Sequence, residues 1–207
     1  MNRDDDAELL RRWRAGDNSA GKELFRSYYQ PVARFFRNKV RGDVADLIQE
    51  TFAACVAGRD RLRDDSSFRS YLFRVAYNTL NDYFRAAYRD RGAIDFADLS
   101  VQDLSPGPSS VIGRREEERL LLEGLRRLPI ELQVLLELRF WESLKTIEIA
   151  EILGVPHATV RSRLGRAVER LEGEMKRLAD APDTFASTLQ DLDGWARGCR
   201  DAMGLAP

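Results

Sequence analysis

Histidine and cysteine are almost missing from this chain. One histidine, His157, and two cysteines, Cys55 and Cys199, stand among 207 residues. Three such residues cannot assemble the four-ligand set of an ordinary zinc site. Two cysteines are also too few for the disulfide framework of a small secreted domain, so a reducing cytoplasm is expected. No stretch approaches the roughly 18 apolar residues of a membrane span. The start, Met1 to Asp6, is polar and acidic with no apolar core after it, so no membrane insertion is expected. Strand-like alternation of β-branched residues is scarce. No Gly-rich phosphate loop and no nucleophile elbow occur, so the expectation is no catalytic residue, no cofactor, no metal and no enzyme. Excess charge is missing as well: 33 basic residues face 34 acidic ones, for a net charge of −1. A dedicated nucleic-acid coat would be strongly basic, so any such binding here must come from local patches.

Those patches exist, because charge is sorted along the chain. From Arg59 to Arg91 eight arginines face five acids, and from Pro156 to Arg170 four arginines face Glu169 alone. From Leu178 to Pro207 five aspartates face two arginines. Leu, Ala, Arg and Glu dominate, and these are good helix formers. The spacing predicts helices over 4–14, 19–41, 44–57 and 68–88, with Pro31 beginning a new turn or a kink in the second. The turn at Gly16 to Ser19 is expected to end in a capping Ser19, and Asp43 to cap the third helix. Ser105-Pro-Gly-Pro-Ser-Ser110 cannot hold a helix. The expected architecture is therefore all-α: two helical domains, 1–91 and 114–178, joined by a flexible linker over 92–113. Helices are predicted over 114–128, 129–141, 146–153 and 156–178. The piece 179–207 is a separate amphipathic extension carrying Phe185, Leu189, Leu192 and Trp195, either a regulatory helix or a disordered or merely capping piece.

The second basic patch has the requirements of a helix-turn-helix. Two helices crossing steeply need a small residue where they touch, and Ala150 supplies it. The tight turn needs a residue tolerant of positive φ, and Gly154 supplies that. Ile149, Leu153, Val155, Val160 and Leu164 lock the pair, and Pro156 suits a helix start. The second helix then carries His157, Thr159, Arg161, Ser162, Arg163 and Arg166, which can reach base edges or phosphates in a major groove. The bland alternative is a structural hairpin with a solvated basic face.

In the first patch, arginines Arg61, Arg63, Arg69, Arg74, Arg85, Arg89 and Arg91 interleave with Phe68, Tyr71, Phe73, Tyr77, Tyr83, Phe84 and Tyr88. Asn78 and Asn81 lie three apart. Aromatic faces can stack unpaired bases while arginines follow the backbone, as single-stranded nucleic acid requires. A core helix with inward aromatics would show the same composition.

Three segments in order resemble one family. Asp43-Val-Ala-Asp-Leu-Ile-Gln-Glu-Thr-Phe52, then Phe68-Arg-Ser-Tyr-Leu-Phe-Arg-Val-Ala-Tyr-Asn-Thr-Leu-Asn-Asp-Tyr-Phe-Arg85, then Ile149-Ala150, Leu153-Gly-Val155 and Thr159-Val-Arg-Ser-Arg-Leu164 are similar to the extracytoplasmic-function (ECF) sigma factors of the sigma-70 family. The likeness covers about residues 8–175. It implies a subunit that binds core RNA polymerase, through the β′ clamp helices and the β subunit, and directs promoter-specific initiation. Asp46, Gln49 and Glu50 match polymerase-docking positions. Phe68, Tyr71 and Asn78, with Arg61, Arg63, Asn81 and Arg85 around them, match the segment that opens the −10 element. Arg161, Ser162 and Arg166, with His157, Thr159 and Arg163, match the −35-reading helix. Promoter DNA is the implied second partner, and an anti-sigma protein is left open. The rival from another class is a helix-turn-helix regulator that dimerises on a palindrome without polymerase.

Overall fold

The structure is a computed structural model and describes residues 3–40, 44–59, 68–87, 99–104 and 116–178. Nine α-helices lie among the described residues: α1 Arg3–Arg14, α2 Asn18–Arg37, α3 Ala45–Ala57, α4 Phe68–Ala87, α5 Val101–Leu104, α6 Glu116–Arg126, α7 Ile130–Leu136, α8 Thr146–Leu153 and α9 His157–Leu178. A π-helical turn, Glu137–Trp141, extends α7. The all-α class and the two helical halves expected from the sequence are both present.

The first half is α1 to α4. Leu9, Leu10 and Trp13 bury one face of α1 against α2, and the buried Tyr28 hydroxyl donates to the Asp6 carboxylate to tie the two helices. The cap of α2 is Asp17, not Ser19: its Oδ1 accepts from the backbone N–H groups of Ser19 (2.9 Å) and Ala20 (3.3 Å). A carboxylate two residues earlier, just outside the helix, reaches the second and third free N–H groups, which a side chain already inside it cannot do. Pro31 neither starts nor ends a helix; α2 continues through it to Arg37. An internal proline costs about 3 kcal/mol. Burial of Leu24, Tyr28, Val32, Phe35 and Phe36 along that helix is large enough to offset it. The residue before α3 is Val44, without a side-chain cap; Asp43 lies outside the described residues.

The second half is α6 to α9. Pro129 stands at the N-cap of α7, and the expected helix over 129–141 changes character after Leu136. There the N–H of Glu142 bonds to the carbonyl of Glu137, five residues back. The widened turn ends at Ser143, whose φ of +51° is unusual for a residue with a side chain. Within the stretch read as linker, α5 is helical. Val101 and Leu104 are buried, and Ser100 pairs with Pro129 in an isolated bridge.

The two halves are not separate in space. One continuous core runs from Leu9 to Met175, and α4 packs directly on α8.

Candidate nucleic-acid interface

The helix-turn-helix forms as its residues require. Gly154 sits in the left-handed region at φ +67°, ψ +32°. That conformation costs other residues roughly 1–2 kcal/mol. Ile149, Ala150 and Val160 are buried at the crossing. The Glu148 carboxylate accepts the backbone N–H of Lys145 at 2.7 Å, covering one free donor at the start of α8.

On α9, Arg161, Ser162 and Arg166 face solvent. The Arg166 guanidinium lies 3.5 Å from the Ser162 carbonyl and hydroxyl oxygens, and Ser162 Oγ donates to the Thr159 carbonyl at 3.0 Å. Thr159 and His157 are half-buried. His157 Nε2 is 2.8 Å from Thr146 Oγ1, so the imidazole clips the start of α9 to the start of α8. Arg163 points back into the protein and pairs with Glu131 of α7 at 2.5 Å. Together with Leu132, Arg166, Glu169 and Arg170, this pair lines a cleft of about 500 Å³. Nothing lies within 4 Å of where a Cβ on Gly165 would stand.

Helix α4 presents a different picture. Phe68 is fully buried, edge-on to Tyr28 with ring centroids 5.5 Å apart, so in this conformation it stacks on protein and not on a base. Tyr71 is half-buried. The Arg74 guanidinium stands 5.7 Å from its ring centre, and its hydroxyl fills the space beside Gly58, where any Cβ would collide with it. Asn78 is exposed while Asn81 is buried with its Oδ1 lacking a hydrogen-bond partner, so the two amides do not share one solvent face. Arg85 is exposed and pairs with Asp82 at 3.0 Å. Arg61 and Arg63 lie outside the described residues, as do Phe185, Leu189, Leu192 and Trp195.

On α3, Leu47, Ile48, Thr51 and Cys55 turn inward, which leaves Asp46, Gln49 and Glu50 outward on a shared face. Burial pushes the Cys55 thiol up to about 12, so it is an inert packing residue and not a nucleophile.

One polar cluster was not legible in the sequence. Where the halves meet, Arg34 reaches Glu142 through Nε (3.1 Å) and Nη2 (2.7 Å), and Arg69 reaches the other carboxylate oxygen at 3.1 Å. Lys39, fully buried, donates to Glu137 and to the Phe35 carbonyl, with its ammonium 4.2 Å from the Phe35 ring centre. Gln133 Nε2 donates to the second Glu137 oxygen at 2.9 Å. Burial pulls the Lys39 pKa down, and Glu137 works against that shift. The Asn38 side-chain amide donates a hydrogen bond to the Leu122 carbonyl, and the Arg126 guanidinium donates one to the Asn38 carbonyl, both 3.2 Å.

Comparison with known proteins fits this arrangement. Residues 24–90 match the family model for sigma-70 region 2, and residues 118–171 match that for sigma-70 region 4. The chain is 31% identical over 182 residues to the ECF RNA polymerase sigma-E factor of Haemophilus influenzae, covering 84% of this chain and 96% of that one. It is 30% identical to those of Salmonella typhimurium and Escherichia coli K12, covering 84% of this chain and 95% of each. Among solved structures it is similar to CnrH in complex with the cytosolic domain of CnrY. The TM-score is 0.62 at 22% identity, over 84% of this chain and 99% of that one, a likeness of fold. The helices and the two matched regions define a sigma-type transcription protein. Within that class, the chain belongs to the ECF sigma factors of the sigma-70 family, which is not a class of enzymes. Among the described residues no helix is long and apolar enough to cross a membrane, and no group of metal-ligating side chains gathers.

Proposed function

We propose that this chain binds core RNA polymerase and directs initiation at promoters, with three helices dividing the labour. In this reading the outward Asp46, Gln49 and Glu50 of α3 dock on the β′ clamp helices. Helix α4 holds the opened −10 strand through Tyr71, Asn78, Arg85 and, once uncovered, Phe68. Helix α9 reads the −35 duplex through Arg161, Ser162 and Arg166. The observation that carries the reading is the helix-turn-helix built on left-handed Gly154, with three polar side chains outward on its second helix. It sits in the same chain as the outward acid and amide face of α3.

The chemistry of RNA synthesis belongs to the polymerase, and this chain contributes recognition. Two weak reading heads on one chain gain by effective concentration once both sites lie on one DNA. Stacking of unpaired bases on aromatics, about 1–3 kcal/mol per base, offsets part of the melting cost. The working compartment is the cytoplasm, where polymerase and promoter are found. CnrH is seen in complex with the cytosolic domain of CnrY, and an anti-sigma protein is the regulator to look for on this chain. The domain limits that go with these roles are 1–91, 92–113, 114–178 and 179–207.

Run-off transcription from a genomic template library, with and without this chain added to core polymerase, tests the reading. New transcripts that need both proteins are expected. Binding to a palindromic duplex by a dimer without polymerase would favour the rival regulator. Glu50→Lys is expected to lower holoenzyme yield while leaving duplex binding by α9 unchanged.

A further inference from the structure

We infer that Glu137 and Glu142 form a charge latch with Arg34, Lys39 and Arg69 that holds the free chain closed, with the −10-reading helix shut against the helix-turn-helix. The inference rests on the proposed division of labour between α4 and α9.

The closed state and the working state exclude each other on length alone. Elements at −35 and −10 lie about 25 base pairs apart, which is about 85 Å of duplex at 3.4 Å per base pair. Here α4 is in direct contact with α8, the helix next to the reading helix. Ser70, Tyr71 and Arg74 of α4 close a cavity of only about 30 Å³ with Glu151 and Ile152 of α8. Ser70 Oγ lies 3.4 Å from Glu148 of the same helix. A closed chain can therefore offer its −35 head to DNA, but not both heads at once.

The latch has the chemistry of a reversible contact. Both carboxylates come from the second half, at the two ends of the π-turn; all three cations come from the first. The cavity between them holds about 10 Å³, room for one water at most. Each Glu142 oxygen and each Glu137 oxygen has a partner in place, so the register of the two halves is tightly specified. Burying ions gains little net stability, because their lost hydration nearly cancels their attraction. Opening returns all five charges to water and recovers that hydration. A purely apolar seam of this shape would have no such compensation on opening. The π-turn is what makes the geometry: it widens the backbone by one residue and is followed by the positive-φ Ser143, so both acids turn toward α2.

The test uses the full chain in two arms. In the first, small-angle scattering compares wild type with Glu137→Gln/Glu142→Gln, with helicity checked by circular dichroism. The variant leaves Arg34 and Lys39 facing neutral groups, so its radius of gyration is expected to rise above that of the wild type. In the second, Ser70→Cys/Glu148→Cys in a Cys199→Ser background is joined by a short cleavable bis-maleimide and added to core polymerase. Run-off transcription is expected to fall at least about tenfold, as it must when the competent fraction falls by that factor, and to return on cleavage. A folded double-Gln variant as compact as wild type, or a crosslinked chain that transcribes at full rate, overturns the latch. If the double-Gln variant does not fold, the crosslink alone decides. If the wild type itself yields no transcript, the functional reading fails, and the scattering arm still decides whether the latch exists.

Discussion

The two helices proposed to read DNA meet their surroundings in opposite ways. Helix α9 carries Arg161, Ser162 and Arg166 into solvent, ready for a groove. Helix α4 keeps Phe68 in the core and Tyr71 half-covered beneath α8. The contrast teaches that residue type does not make a reading surface; access does. A duplex-reading helix can be complete in the free protein, because the major groove comes to it ready-formed. A helix that stacks unpaired bases offers apolar rings, and in water those rings bury themselves until DNA strands are there to replace the protein contact.

The sharpest way to break this contrast is Phe68→Ala. If the ring is core in the free chain, urea unfolding should show a loss of about 3–5 kcal/mol; a loss under about 1 kcal/mol would place Phe68 at the surface. Next in size, Arg161→Ala or Arg166→Ala should weaken binding to −35 duplex by about 1–3 kcal/mol, with no shift in the unfolding midpoint. Electrophoretic mobility shift beside a thermal melt separates the two effects. Gly165→Ala should stabilise α9 by about 1 kcal/mol, because its Cβ would enter open space in a helix interior. A simultaneous loss of duplex affinity would mean that DNA approaches that backbone closely. The smallest effect belongs to Asp17. The Ser19 hydroxyl and the Arg12 guanidinium hold its carboxyl well below the usual carboxylate range. A depressed folded pKa contributes stability above the unfolded value of about 3.9 and loses it as pH falls toward the folded value. Asp17→Asn should therefore lower the melting temperature slightly at pH 7, and the difference from wild type should shrink below about pH 4.

Most local patterns were legible where the cause of a structure lies within a turn or two of chain, the cap of α2 being an exception. Ala150, Gly154 and Pro156 announced the helix-turn-helix, because a close crossing, a positive φ and a helix start are each demands on one residue. Asp46, Gln49 and Glu50 were singled out by the family resemblance, and the structure puts them outward on one face of α3. Pro31 stays inside α2 because the core that helix buries outweighs the local penalty. Asn78 and Asn81 were grouped by spacing, but 60° of helix rotation divides solvent from interior there. The charged seam gave no signal, since nothing near Lys39 or Arg34 in the chain marks them as buried. Their partners lie 98 and 108 residues away.

The sequence by itself determined the helices, the helix-turn-helix, the sorting of charge and the family, because periodicity, caps and motif order are properties of short segments. Only the tertiary structure decided that the halves close on each other, that Phe68 is shut away, and that Glu137 and Glu142 face Lys39, Arg34 and Arg69. Burial and ion pairing depend on which distant surfaces meet, and a free energy of contact between remote segments leaves no periodic trace in either one.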